Sequence, residues 1–406
     1  TLLPEQTLEN PYVDIVVVGE GERTVVELTH ALKHGRPLEE VKGIGFKKDG
    51  IRLTPPRGVI TDWDSEVELD WSHIDYQKYI RGREGYKNIP FMSSRGCLFK
   101  CGFCYNAKVN NQQWRGWSVS GTVKELDKLL DMGINSVTFL DDLLTVDIER
   151  LKEIVIYLSK KGVRVSFDGG FRIDSVRHES LYKTLNDTGC RHIQFGAESG
   201  SRNILRRIRK GITVEQIIDS AKLTKKYNLG ATYNWMIGFP GESQEERQET
   251  LQIIDKITEI NPNTSHVIVI YSPYPGQALY EEAVRFRWEP PKRLEDWDKP
   301  REEADYAYVN DIWHLRCIVL SCYFNFAYNV PSYDVKVNNL LFRLVANVMK
   351  VLSKLRWKLK FFGLPIECVL LIKGRGILDN ILAKKLTWRL RLPSHKMKHT
   401  TQGVGS

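Results

Sequence analysis

Three cysteines fall within eight residues of this 406-residue chain, in the run Cys97-Leu-Phe-Lys-Cys101-Gly-Phe-Cys104. Thiolates at spacings of four and three are soft ligands that can wrap one face of a 4Fe-4S cube. A cube has four irons, so three protein ligands leave one iron open to an outside ligand, much as a catalytic zinc keeps an open position. Arg95, Gly96 and Lys100 make the loop electropositive and flexible, which favours thiolates and an anionic cluster. The rivals are a structural zinc ion and a chance triplet. Zinc usually takes four ligands in paired CxxC motifs, and no second pair or Cys-His set stands nearby. The other cysteines (Cys190, Cys317, Cys322 and Cys368) are scattered, unlike the dense framework of a small secreted domain. A reducing cytoplasmic setting is the expectation.

The bulk numbers agree with a globular chain. Hydrophobic residues make up 42% and charged residues 27%, which is ordinary for a folded protein. No stretch reaches the roughly 18 apolar residues of a membrane span. The first residue is Thr1 and no apolar secretory segment follows, so the start reads as a cut inside a longer protein. The formal net charge is +9, concentrated after residue 340 in runs such as Lys354-Leu-Arg-Trp-Lys-Leu-Lys360. A solvated helical face with a disordered end is the simplest reading. Peripheral contact with an anionic membrane is the alternative, and no specific nucleic acid is expected.

The elements that position the cysteines follow from periodicity. Val13 to Val18 is a β-branched run, then comes Gly19-Glu-Gly-Glu22 and a helical pattern through His34. This is the strand, glycine turn and helix of a doubly wound sheet. Gly43 to Lys47 and Ile51 to Leu53 read as a hairpin around Asp49-Gly50. Residues 54–88 lack a period and read as a linker. From residue 89 strand and helix alternate six times. The strands are expected at 89–94, 136–140, 163–167, 192–195, 231–237 and 266–270. Capping boxes are expected at Thr122-Glu125, Thr213-Gln216 and Ser243-Glu246. Such strands are normally parallel with right-handed crossovers, and the sheet can curl into a full or partial barrel with its site at the strands' C-terminal ends. The cysteine loop follows the first of these strands. Phe139-Leu-Asp141-Asp142, Phe171-Arg-Ile-Asp174, Gly196-Ala-Glu198-Ser199-Gly200, Gly238-Phe-Pro-Gly241-Glu242 and Tyr271-Ser-Pro-Tyr-Pro-Gly276 close the later ones.

A Cx3Cx2C motif after the first strand of a six-strand alternating barrel resembles the radical S-adenosylmethionine superfamily, over residues 89 to about 290. The resemblance implies that Cys97, Cys101 and Cys104 hold a 4Fe-4S cluster whose open iron binds S-adenosylmethionine for reductive cleavage to a 5'-deoxyadenosyl radical. It implies that Phe103 lies near the adenine. Glu198 and Ser199 would meet the cofactor's ammonium and ribose, and Gly238 and Gly241 would let backbone approach the adenine. The first 60 residues resemble the last part of a cobalamin-binding domain. That is the arrangement of cobalamin-dependent radical enzymes similar to the anaerobic magnesium-protoporphyrin ester cyclase group. Gly19 and Gly21 would then lie near the cobalamin's nucleotide tail. The group's upstream strands and its Asp-x-His-x-x-Gly motif do not occur in this sequence.

The fold class expected is α/β: a partial (βα)6 TIM-like barrel, preceded by the C-terminal remnant of a Rossmann-like cobalamin-binding domain and followed by a mainly helical domain. The boundaries expected are 1–60 for the cobalamin-binding remnant, 61–88 for the linker, 89–290 for the core and 291–406 for the helical basic region and tail. That last region is read as a lid over the barrel mouth, with a membrane-lying helix as the alternative. The expected activity is radical methyl transfer, oxidation or cyclisation of a small organic substrate, with a reductase, flavodoxin or ferredoxin as electron donor. Two other readings stay open: a cobalamin-independent radical enzyme and a non-catalytic electron-transfer module.

Overall fold

The computed structural model describes residues 2–80, 85–297, 306, 308–309, 311–327 and 340–373. Cα packing divides the chain into two units, Thr1–Phe286 and Arg287–Ser406.

The first unit opens with α1 (Pro4–Glu9), β1 (Ile15–Val17) and α2 (Glu22–His34), followed by β2 (Ile44–Lys47) and β3 (Ile51–Leu53). The expected hairpin is present, and Asp49 and Gly50 turn it with φ of 51° and 109°. β1 pairs antiparallel with β2, with Ile15 opposite Phe46, so the sheet order is β1-β2-β3. Ala31, Val41, Ile44 and Phe46 form its core, against which Ile15 and Leu28 pack.

The aperiodic stretch after residue 54 is a strap rather than a free linker. Its short helix α3 (Trp63–Glu66) buries Trp63, edge-on to Trp117 at 5.1 Å between ring centroids. Trp117 Nε1 donates to the Val67 carbonyl at 2.9 Å, and the Leu69 amide donates to Glu125 at 3.2 Å. Contacts of this kind are long in sequence and leave no periodic mark on the strap.

Then come β4 (Asn88–Phe91), β5 (Ser94–Arg95), α4 (Asn106–Val109), β6 (Arg115–Gly116), α5 (Val119–Asp131), β7 (Ser136–Phe139), α6 (Ile148–Lys160), β8 (Arg164–Phe167) and β9 (Phe171–Arg172). The unit continues through α7 (Glu179–Asp187), β10 (His192–Glu198), α8 (Arg202–Arg207), α9 (Val214–Lys226), β11 (Gly230–Ile237), α10 (Gln244–Ile260), β12 (Thr264–Ile270) and α11 (Tyr280–Arg285). All six expected strands are there. With the short β9, which was not expected, they form two parallel sheets, β4-β7-β8 and β9-β10-β11-β12, laid out in chain order, which fits a TIM-like barrel.

One register row explains how these strands cohere. Phe91, Phe139 and Phe167 are cross-strand partners, as are Phe171, Phe195, Tyr233 and His266. Phe167 meets Phe171 edge-on at 4.9 Å, so the row is continuous across the gap between the two sheets. Its polar members reach the surrounding helices: Tyr233 Oη bonds Ser220 of α9 at 2.9 Å, and His266 Nε2 bonds Thr258 of α10 at 3.0 Å. The alternate face carries short polar pairs, Thr138 with Ser166 and Thr232 with Ser265, each at 2.7 Å. Period-two alternation thus puts aromatics under the helices and hydroxyls on the opposite face.

The capping boxes at Thr213-Gln216 and Ser243-Glu246 are formed. The one expected at Thr122-Glu125 is not. α5 starts earlier, where the Ser118 hydroxyl accepts from the Gly121 amide, and the Thr122 hydroxyl donates to the Ser118 carbonyl inside the helix. Asp64 of the strap accepts from the Ser118 amide at 2.9 Å, and this tertiary contact fixes the start.

The second unit holds α12 (Ile312–Cys322), α13 (Leu340–Leu359) and α14 (Ile366–Lys373). Cys317 and Cys322 lie on α12, and a helical turn follows through Ala327. Arg356 ends α13 by donating to the carbonyls of Phe361 and Gly363 at 3.1 and 3.0 Å. No described helix is long and apolar enough to cross a membrane. The tail after residue 373 lies outside the described residues.

Candidate functional site

The cysteine loop is slung between β5 and β6, whose antiparallel pairing sets Arg95 opposite Arg115. Gly96 opens it at φ +87°, and a Cβ there would stand 2.0 Å from the Gln113 carbonyl, so only glycine fits. The two acids ending β7 hold this entry. The Gly96 amide donates to Asp142 at 2.7 Å. Asp141 is buried and accepts from the Ser93 amide at 3.1 Å and from the Ser93 and Ser94 hydroxyls at 2.7 and 2.5 Å. Burial raises its pKa, while these bonds and nearby Arg150 oppose the rise. Both carboxylates therefore anchor the loop. At its far end the Gly102 amide donates to the Ile208 carbonyl at 2.7 Å, and the Gly102 carbonyl accepts from Leu279 at 2.9 Å.

The three thiols sit in a donor-rich setting. Cys101 is buried, and Cys97 and Cys104 are partly exposed. The Asn106 amide donates to Cys104 Sγ at 3.4 Å, and Arg172 Nη1 lies 3.8 Å from Cys101 Sγ. Burial pushes the Cys97 thiol up, and the Cys104 thiol up to about 11. Binding of a metal centre would release their protons. The three sulfurs do not all lie within 4.8 Å of one another, so they are not gathered for a single ion. A cube's face is wider than one ion, so thiols on one loop with N–H and guanidinium donors fit an iron–sulfur cluster.

Two cations organise the neighbouring strand ends. The Arg172 guanidinium lies 3.4 Å from the Phe99 ring centroid, pairs with Asp174 at 3.1 Å and donates to the Lys210 carbonyl at 2.7 Å. Lys210 Nζ lies 2.8 Å from Glu198 and 5.6 Å from the Phe103 ring centroid. Glu198 ends β10 on a bulge at φ +65°, a strained backbone for a non-glycine residue. A Cβ at Gly196 would meet Glu198 Oε1 at 2.4 Å, so that glycine makes room for the ion pair. The structure therefore gathers Phe103 and Glu198 around Lys210, beside the cysteine loop.

The other residues singled out in the sequence stand as follows. Ser199 is fully buried, and its hydroxyl bonds Thr250 and the Ser201 amide at 3.0 and 3.1 Å. Gly238 and Gly241 take φ of +76° and +70° in the turn after β11. Glu242 closes that turn by accepting from the Gly238 amide at 2.5 Å. Gly19 sits at φ +90° with open space where a Cβ would go, and Gly21 caps α2. Between them Glu20 accepts from Arg115 and from the Ile60 amide, and Glu22 pairs with Arg95 at 2.5 Å. The glycine turn is thus tied to the two strands that carry the cysteine loop.

Sequence reasoning singled out neither Lys210 nor Arg115, and it quoted Arg172 without a role. Their partners are 12, 95 and 71 residues away. The signal available was indirect: a lysine before Gly211 and an arginine at a strand end.

Comparison with known proteins agrees with this geometry. Residues 91–254 match the radical SAM superfamily. An uncharacterized methyltransferase of Pyrococcus horikoshii is 36% identical over 290 residues, covering 70% of this chain and 61% of that protein. The anaerobic magnesium-protoporphyrin IX monomethyl ester cyclase of Rubrivivax gelatinosus is 26% identical, covering 69% of this chain and 51% of that protein. The chain thus spans between half and two thirds of these relatives. Among solved structures, the cobalamin-dependent S-adenosylmethionine radical enzyme OxsB, with aqua-cobalamin and S-adenosylmethionine bound, superposes with a TM-score of 0.66 at 19% identity, covering 94% of this chain and 60% of that one. At that identity the likeness is one of fold. The chain carries a radical SAM domain, related in sequence to those of a methyltransferase and of the anaerobic magnesium-protoporphyrin cyclases.

Proposed function

We propose that this chain is the catalytic part of a cobalamin-associated radical SAM enzyme that acts on a small organic substrate, by methyl transfer or by radical oxidation or cyclisation. The observation that supports it best is the cysteine loop itself: three thiols on a loop after the first parallel strand, backed by Arg172 and Lys210. Cys97, Cys101 and Cys104 would hold a 4Fe-4S cluster, which supplies one electron to S-adenosylmethionine bound at its open iron. Gly96, Asp141 and Asp142 hold the loop in place. Glu198, paired with Lys210, would receive the ammonium of S-adenosylmethionine, and the turn of Gly238 and Gly241 would flank its adenine. Phe103 would close the adenine's other edge. Glu20 and Glu22 fasten the glycine turn, with Gly19 and Gly21, to the cluster loop, where the cobalamin tail would pass.

The fold reading that goes with this is an open six-strand (βα)6 barrel over residues 89–290. The last part of a Rossmann-like cobalamin-binding domain would lie ahead of it, and the region after it is mainly helical over the described residues 312–327 and 340–373. The enzyme would work in the cytoplasm with a flavodoxin, ferredoxin or reductase as electron donor. The test is anaerobic incubation of the reduced, cluster-loaded chain with S-adenosylmethionine. The proposal expects 5'-deoxyadenosine or S-adenosylhomocysteine, lost in Cys101→Ala. Cluster formation with neither product would favour an electron-transfer module. A longer form that purifies without cobalamin, and gains nothing when it is added, would remove the cobalamin assignment.

A further inference from the structure

Cysteines that are scattered in the sequence meet in the second unit. Cys317 lies on α12 and Cys368 on α14. Their sulfurs and a Glu367 carboxylate oxygen all lie within 4.8 Å of one another, the one such trio among the described residues. Both thiols are buried. Cys368 Sγ stands 4.0 Å from Glu367 Oε1. A tetrahedral zinc with bonds of about 2.3 Å to sulfur and about 2.1 Å to oxygen needs ligand atoms roughly 3.6–3.8 Å apart. The Cys368–Glu367 separation is within a few tenths of an ångström of that, and the other two are at most 4.8 Å.

Glu367 is aimed by a group outside the trio. Arg356 holds it at two points, with Nη2 2.8 Å from Oε2, and the same guanidinium donates to the Phe361, Gly363 and Leu364 carbonyls at 3.1, 3.0 and 2.9 Å. Such outer partners orient metal-ligating carboxylates and are part of a built site. The charges also close. With a metal bound, two thiolates and a carboxylate would carry three negative charges, balanced by Arg356 and one divalent cation.

We propose that Cys317, Cys368 and Glu367 form a second metal site, for one thiophilic divalent cation, zinc first among them. Two thiolates select such an ion over magnesium or calcium. Water or a small ligand takes the fourth position. The site clips α12 to α14. It is made of different residues from the cysteine loop and does not depend on the function proposed for that loop.

The test is metal analysis of the full chain, purified anaerobically, given zinc and dialysed, with zinc and iron counted separately. About one zinc per chain is expected, falling at least tenfold in Cys317→Ser and in Cys368→Ser while iron is unchanged. Cys101→Ala should show the opposite pattern. If the serine variants do not fold, cobalt(II) added to the wild-type chain gives a second readout. Thiolate-to-cobalt charge transfer and strong tetrahedral bands are expected, with the bands altered in Glu367→Gln. Substoichiometric zinc with both thiols open to alkylation, zinc retained in both serine variants, or a Cys317–Cys368 disulfide in the anaerobic protein would each overturn the proposal.

Discussion

Replacing Glu242 by Gln should stabilise the protein, and more so at alkaline pH. The carboxyl is largely buried at the turn after β11 and is pushed up to about 7 from the ordinary 4.5; its Oε1 has no hydrogen-bond partner. Desolvation is the largest cause and Glu246 adds to it, while the Gly238 amide and Arg247 oppose it. With the folded pKa above the unfolded one, the native state holds the extra proton between about pH 4.5 and 7. Stability is then full below pH 4.5 and falls as pH rises toward 7. A folded pKa one pH unit above the unfolded one corresponds to about 1.4 kcal/mol, so the wild type should lose roughly 2–3 kcal/mol between pH 5 and pH 8 that the Gln variant does not lose. Gln keeps an acceptor for the Gly238 amide and is neutral throughout. Denaturant unfolding without S-adenosylmethionine, with both proteins at both pH values, reads the difference, which corresponds to roughly 5 °C in melting temperature. A stability difference between the two proteins that is the same at pH 5 and pH 8 would refute the reasoning.

Three further outcomes follow from the same geometry. Gly196→Ala places a methyl 2.4 Å from Glu198 Oε1 and 3.0 Å from Lys210 Nζ, so the ion pair must move; S-adenosylmethionine affinity, read by equilibrium dialysis, should drop about tenfold, with about 1–3 kcal/mol lost from stability. Arg115→Met removes the nearer of the two cations paired with the mostly buried Glu20 carboxylate and leaves Arg95 at 3.5 Å, so chemical denaturation should show a loss of about 1–3 kcal/mol, partly recovered when Glu20→Gln is added. Gly121→Ala would set a Cβ 2.1 Å from Asp64 Oδ1 and push the strap off α5; limited proteolysis should then cut residues 61–80 faster than in the wild type.

The sequence made legible whatever is local and periodic. The six strands, the hairpin at Asp49-Gly50 and the capping boxes at Thr213 and Ser243 each depend on neighbours a few residues apart. The cysteine loop was legible because its spacing alone fixes the ligand count. The strap at residues 61–80 was not, since Trp63 and Asp64 find their partners across more than 50 residues. The same tertiary contact moved the start of α5 to Val119. Glu198 was picked for its place at a strand end, but its strained φ and its tie to Lys210 need the bulge in β10, which no alternation pattern announces. Ser199 shared the motif yet lies just past the end of β10, where its hydroxyl bonds Thr250.

The central claim is that Cys97, Cys101 and Cys104 hold a four-iron cluster with one open iron. Electron paramagnetic resonance of the reduced, reconstituted chain, with and without S-adenosylmethionine, tests it most directly. The account predicts a reduced 4Fe-4S signal that changes shape when S-adenosylmethionine is added and disappears in Cys101→Ala. A cluster signal indifferent to S-adenosylmethionine, or one that survives Cys101→Ala, would contradict it.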